Sequence, residues 1–276
     1  MEKQLDYSIF PQISVIMSVK NGADVLPISI RSVQNQTFSN WEFIICDDGS
    51  TDSTLSVLNE YAKNDSRIHI IHNDESKGLA YSLNKCIQEA RSNILARQDA
   101  DDQSAADRFE RQYEFVTNHP EYAVVGTCWY NVDDNGKVSE SNVPELPSAK
   151  DMIKGGLYLH PSWMMRKNEI KKVGYYTVNK YTMRSQDYHF IMKVLASGMK
   201  LYNMPEKLYY YTADSNTMKR SRNWSRVVGL MWIRYDSYKR NHLPLSAYIY
   251  VFKPLIVNLI PESIMNKHYK KVYGQK

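Results

Sequence analysis

The first half of the chain predicts an α/β fold with a largely parallel sheet, and three observations carry that prediction. Short apolar runs alternate with segments of helical periodicity through the first hundred residues. The runs are almost continuously apolar, as strands are when helices cover both faces of their sheet. Polar and acidic residues then gather directly behind the runs, at the strand ends where ligands of open α/β sheets collect.

Taken in order, "ISVIMSV" (Ile13–Val19) is the first strand, and "DVLPISIRSVQNQ" follows with Val25, Ile28 and Val33 at helical spacing. "WEFIICDD" is the second strand, and "STDSTLSVLNEYAKN" a helix with Leu55, Leu58 and Tyr61 on one face. "RIHIIH", the helical "GLAYSLNKCIQEA" and the strand "SNILAR" complete the alternation. Ser18 to Asn21, Asp47 with Asp48, and Asp99 to Asp102 therefore lie at three strand ends on one rim. A helix starting near Ala105 is expected next, with Ser104 able to cap it. Beyond it, "EYAVVGTCWYNVDDNGKV" reads as a strand and a turn, and "SQDYHFIMKVLASG" as a helix ended by Gly198. "KLYNMPEKLYYYT" reads as a closing strand pair.

The 276 residues, 43% of them hydrophobic, suffice for one sizeable core or a core with a small lobe. "MEKQLDYSIF" lacks the apolar centre of a secretory leader. Cys46, Cys86 and Cys128 have no metal-type spacing, and Cys46 and Cys86 sit in apolar settings that read as buried thiols, so a cytoplasmic protein is expected. Charge is uneven: residues 219–276 carry twelve Lys/Arg against two acids, whereas residues 1–218 carry 23 basic and 28 acidic residues. A basic tail of this kind suits an anionic membrane surface or nucleic acid.

The acids of "ILARQDADDQSAADRF" need a reason to sit together, because Asp99, Asp101 and Asp102 repel one another. Capping a helix would need only one of them. A calcium loop would need Gly at its sixth position, where Ser104 stands. A hard divalent cation, sharing one or two carboxylates with diphosphate oxygens and water, fits better. In "CDDGSTDST", Asp48 can accept from a nucleobase N–H, although strand–turn–helix punctuation explains the stretch equally well. Asp187 in "RSQDYHFIMKV" is either an acid favouring the helix dipole or a general base. No Walker motif, no G-x-G pair and no G-x-S-x-G elbow occurs, which excludes P-loop, dinucleotide-binding and serine-hydrolase readings by motif.

In this order, "ISVIMSVKNG", "SIRSVQNQTFSNWEFIICDDGSTDST", "SKGLAYSLNKCIQEA", "ILARQDADD…DRFERQ", "LHPSWMMRK" and "SQDYHFIMKV" resemble the inverting family 2 glycosyltransferases of GT-A fold, across residues 11–212. The resemblance implies a UDP-sugar donor, with Ser18, Val19, Asn21 and Asp48 around the nucleotide and Asp99 toward ribose. It implies Mn²⁺ or Mg²⁺ on Asp101, with Asp102 on a metal-bound water or the donor sugar, and Asp187 as catalytic base. Arg184 and Lys193 are cations within helical reach of that base. His160 and Gln186 are candidates for the acceptor side. Lys20 stands where many relatives have an aromatic residue, and Gln186 where they usually have Glu.

The expected organisation is a catalytic region over 1–218, with a nucleotide-sugar half at about 11–130 and an acceptor half at about 131–218, then a basic, aromatic helical region over 219–276. Residues 243–265 are apolar enough to suggest a membrane span, but Lys253, Pro254 and Pro261 interrupt them, so an interfacial helix pair is the better reading. By analogy with the family, the acceptor is a glycan on undecaprenyl diphosphate at the inner face of the plasma membrane, in O-antigen or capsule assembly. The transferred sugar is Glc, Gal or an N-acetylhexosamine. Two other readings compete. A nucleotidyltransferase would need a Gly-rich basic loop behind the first strand. A nucleic-acid-binding protein would leave the acids at three strand ends without a purpose, so no nucleic acid is expected.

Overall fold

The computed structural model describes residues 10–133, 135–213 and 224–260. The expected boundary near residue 218, and the part of the interfacial pair beyond 260, lie outside the described residues. Strands β1 (Ile13–Val19), β2 (Trp41–Asp47), β3 (Ile68–His72) and β4 (Ile94–Arg97) alternate with helices α1 (Leu26–Gln34), α2 (Thr54–Asn64) and α3 (Leu79–Glu89). They pair in parallel in the order β3-β2-β1-β4. Val19 stands opposite Asp47, so the first two strands end side by side and deliver their following loops to one rim.

The sheet continues beyond β4 in mixed sense. β5 (Gln103–Ser104), α4 (Arg108–Asn118), β6 (Tyr122–Asp133), β7 (Val138–Ser141), β8 (Met164–Arg166), α5 (Lys167–Lys172), α6 (Gln186–Ala196) and β9 (Lys200–Ala213) follow in the chain. β8 lies antiparallel between β4 and β6, β9 runs parallel to β6, and β5 and β7 add antiparallel edges.

Alternating residues of the central strands feed two cores, one on each face of the sheet. Val15 and Met17 pack with α1, α2 and α4 through Ile30, Leu58 and Phe109. Ile16 packs on the other face with Leu83 and Ile87 of α3 and with Phe190 and Ile191 of α6. That second core also includes Ile233 and Tyr238 of α7 (Trp224–Arg240) and Ala247 and Val251 of the turn behind it. The last described element is α8 (Lys253–Leu259).

Two local expectations change. The expected strand pair is a single strand, β9, with a register shift between Met204 and Lys207 opposite Thr127 and Cys128. Pro205 lacks an N–H for the ladder, and the bulge accommodates it without ending the strand. The helix expected near Ala105 begins only at Arg108, because Gln103 and Ser104 pair with β9 instead. Ser104 caps nothing: its Oγ donates to Gln98 Oε1 and accepts from Arg108 Nη1. Both Cys46 and Cys86 are buried, as is Cys128.

Candidate active site

The loops behind β1 and β2 are stitched together by short polar side chains. Asn21, with a left-handed φ of 52°, donates its N–H to Ser50 Oγ and accepts the Thr51 N–H on Oδ1. The Gly22 N–H goes to Thr54 Oγ1, and the Val19 carbonyl accepts the Asp48 N–H. Ser18, half-buried, is the penultimate residue of β1. Gly49 has a φ of 66°, and a Cβ there would lie 2.7 Å from the backbone of Glu75 and Ser76. Only glycine lets the 74–78 loop pass this closely.

Asp48 is buried and organises that loop. Its carboxylate accepts from Asn73 Nδ2, Ser76 Oγ, the Lys77 and Gly78 N–H groups and Ser82 Oγ, all at 2.8–2.9 Å. Burial alone would raise its pKa, but the donors outweigh burial and hold it down at about 2. Five donors fill the roughly four lone-pair positions of a carboxylate. A nucleobase N–H reaching Asp48 therefore has to displace one of them.

Behind β4 the three acids converge. One carboxylate oxygen from each of Asp99, Asp101 and Asp102 lies within 4.8 Å of the others. Tyr209 fixes the first through the Asp99 N–H, which donates to its hydroxyl. β9 fixes the other two: the Thr212 N–H donates to Asp102 Oδ1 and the Thr212 hydroxyl to the Asp101 carbonyl. Asp102 is 1% exposed, and its Oδ2 has no partner among the described residues. Burial first, then the charge of Asp99, raises its pKa well above the usual carboxylate range. A buried carboxylate oxygen left unpaired beside two further acids suits a hard divalent cation such as Mn²⁺ or Mg²⁺, which prefers oxygen ligands.

A fully buried arginine stands directly behind the cluster. Arg97 donates from Nη1 to the Gln98 carbonyl and from Nη2 to Asp99 Oδ1. Arg108, equally buried, donates to the Arg97 carbonyl, Gln98, Ser104 and Gln112, and ties α4 to the strand end. Neither arginine was singled out from sequence. The available signal was Arg97 itself, a charged residue closing an apolar strand immediately before the acids.

Asp187 is the second residue of α6 and follows Ser185, which is held left-handed at φ 58°. Strained backbone of this kind persists where surrounding structure enforces it, and it is common at functional sites. Tyr158, Leu230, Ile233 and Arg234 join Asp187 in lining a cleft of about 280 Å³. Burial first, then the charge of Asp187, pushes the Tyr158 pKa well above its ordinary value. Burial raises the Asp187 pKa and Asp99 adds to the rise, whereas Arg97 opposes it. Base candidate and acid cluster are thus within electrostatic reach of each other.

The cations expected near Asp187 are replaced by Arg97. Lys193 spends its ammonium on the carbonyls of Val173 and Tyr175, and burial lowers its pKa to about 8. Arg184 is exposed. Gln186, the first residue of α6, is half-buried. His160 is buried edge-on against Trp163, with its Nε2 2.7 Å from the Tyr176 hydroxyl. Burial, aided by Arg97, holds its pKa well below 6.5, so the buried imidazole is neutral.

An α/β sheet with an acid cluster behind its fourth strand and a half-buried carboxylate at a later helix start suits a sugar-transfer class of enzyme. Residues 14–189 match glycosyl transferase family 2, and the chain belongs to that family. It is 38% identical over 268 residues to EpsE of Bacillus subtilis, a protein named as a glycosyltransferase, covering 96% of each chain. It is 24% identical over 269 residues to the UDP-Gal:α-D-GlcNAc-diphosphoundecaprenol β-1,3-galactosyltransferase of Escherichia coli, covering 95% of this chain and 96% of that one. The structure also superposes on Staphylococcus aureus TarS 1–349 in complex with UDP-GlcNAc, with a TM-score of 0.69 at 18% identity, over 94% of this chain and 73% of that one. The fold is GT-A.

Proposed function

We propose that the chain is an inverting, metal-assisted hexosyltransferase that moves Glc, Gal or an N-acetylhexosamine from a UDP-sugar to a hydroxyl of a lipid-linked glycan, in cell-surface polysaccharide synthesis. The observation that carries this reading is the acid cluster, with its unpaired Asp102 Oδ2, within electrostatic reach of the half-buried Asp187. Relatives and neighbours named for UDP-sugars and a diphosphoundecaprenol acceptor support the substrate classes.

In this reading Asp187 accepts the proton of the acceptor hydroxyl as its oxygen attacks the anomeric carbon. The sugar–phosphate bond breaks on the opposite side, its electron pair leaves with UDP, and an α-linked donor gives a β-glycoside. Tyr158 lines the cleft beside Asp187, and Arg97 favours the ionised form of that carboxylate. Asp99 faces the ribose, with Ser18, Val19, Asn21 and Asp48 around the base. Mn²⁺ or Mg²⁺ held by Asp101, with Asp102 beside it, would supply the charge that neutralises the departing diphosphate.

The proposed workplace is the inner membrane face. Leu245, Ile249, Phe252, Ile256 and Leu259 are all exposed along the 3-10 turn and α8, a stretch of outward apolar side chains. Among the described residues no helix is long and apolar enough to cross a membrane. An apolar stretch on a basic segment suits a helix lying on anionic lipid. Tyr248, by contrast, packs on Tyr235 and Tyr238, so only part of the expected aromatic set faces outward.

The test is UDP or GDP release from a panel of nucleotide sugars with Mn²⁺ and lipid-linked acceptors. Asp101→Asn is expected to lose metal-dependent UDP binding. Asp187→Asn is expected to keep binding and lose ~10²–10⁴-fold in kcat. Full transfer by both variants would refute the assigned roles.

A further inference from the structure

The cleft beside Asp187 contains a cation that the transfer reaction, as described so far, does not use. Arg234 comes from α7 and lines the same cleft as Asp187, Tyr158, Leu230 and Ile233. Its position is fixed. Gly229 brings α7 so close to the preceding loop that an added Cβ would lie 2.8 Å from the Tyr181 carbonyl oxygen. One turn on, Trp232 stacks on Tyr181 at 5.2 Å. The Arg234 Nη1 donates to the Ile153 carbonyl at 3.0 Å and to the Tyr238 hydroxyl at 2.7 Å, and its guanidinium lies over the Tyr188 ring.

Only one nitrogen is used by those contacts. Nε and Nη2, the edge that meets an oxyanion with two parallel hydrogen bonds, have no partner among the described residues. Among the described residues Asp187 is the one carboxylate lining the cleft, and apart from Arg234 the remaining lining side chains are neutral. A neutral acceptor hydroxyl would need the carboxylate but not the guanidinium. An acceptor with an anionic group one sugar ring away from its reacting hydroxyl would use both. Leu230 and Ile233 supply apolar wall next to that cation, which suits the start of a hydrocarbon chain attached to the anion.

We propose that Arg234 binds the phosphate or diphosphate of an amphiphilic glycosyl-phosphate acceptor, while Asp187 receives the hydroxyl of the sugar attached to it. The proposal rests on the transferase reading above, with its lipid-diphosphate acceptor, and adds the residue that recognises that acceptor's anionic group.

The test uses the full chain with its donor cleft saturated by UDP and Mn²⁺, so that probes report on the acceptor side. Binding of decyl diphosphate, inorganic pyrophosphate, neutral decyl glucoside and phosphatidylglycerol vesicles is measured by calorimetry. Decyl diphosphate and pyrophosphate are expected to bind the wild type, and Arg234→Gln to weaken both about ten- to a hundredfold. Arg234→Lys keeps a point charge without the fork, and is expected to recover part of the loss. It also guards against a folding artefact, since Arg234 anchors Ile153, and thermal unfolding of each variant checks this directly. With a working acceptor, Arg234→Gln should raise KM for diphosphate acceptors and leave KM for neutral ones unchanged.

Unchanged diphosphate binding in Arg234→Gln overturns the proposal, as does equally tight binding of decyl glucoside. A loss confined to the vesicles also overturns it, in favour of a phospholipid contact. Absence of turnover with every nucleotide sugar would instead strike the transferase reading and leave the diphosphate result standing.

Discussion

Asp48 shows how a single carboxylate sets the 74–78 loop in advance of any ligand. A fall from 3.8 to about 2 corresponds, at roughly 1.4 kcal/mol per unit, to about 2 kcal/mol of stability. The sign follows from the direction: a depressed folded pKa stabilises fully above the unfolded value, and that contribution fades as pH falls from about 4 toward 2. Asp48→Asn is therefore expected to lower the unfolding temperature at neutral pH, with the gap narrowing in acid. Equal gaps at pH 7 and pH 2.5 would count against this account. His160 and His189 act in a higher window. Burial depresses the pKa of both below 6.5, so the unfolded chain takes up protons first and stability falls as pH drops below about 6.5. His160→Phe should flatten that slope in thermal unfolding measured between pH 8 and 5.

Between elements, the close approaches matter more than the propensities. Gly49→Ala is expected to cost about 1–3 kcal/mol, because it adds a side chain at positive φ against the 74–78 backbone. Urea unfolding would measure it, and a loss of UDP affinity should accompany it. The contact between α6 and α7 rests on His189 Nε2, 2.9 Å from Asp236 Oδ2, with Arg240 also on Asp236. The central strands and their helices were legible because period and strand ends are local properties, and the three acids declared themselves by crowding. The continuous run of β9 through Pro205 was not legible, since only pairing with the equally long β6 overrides the local turn signal. Arg97 and Arg234 were invisible for a related reason. Their importance comes from neighbours far away in the chain, Asp187 for the first and Ile153 for the second.

At the scale of the whole molecule, the apolar stretch along the last described elements should govern where the enzyme works. Leu245, 89% exposed, and Ile249 contribute nothing visible to the core. Leu245→Glu combined with Ile249→Glu is expected to reduce sedimentation with anionic vesicles at least about tenfold while leaving the unfolding temperature nearly unchanged. A variant pair that still sediments like the wild type would move the membrane contact elsewhere. The stretch was legible only in outline, because sequence does not show that Tyr248, Ala247 and Val251 turn inward while Leu245 and Phe252 turn out. The use of α7 as a wall of the Asp187 cleft has one more consequence, which concerns synthesis. The strands that carry Asp48 and the acid cluster leave the ribosome early, whereas Leu230, Ile233 and Arg234 emerge more than forty residues after Asp187. A nascent chain can thus assemble the strands that carry Asp48 and the acid cluster well before it has the helix that walls the Asp187 cleft.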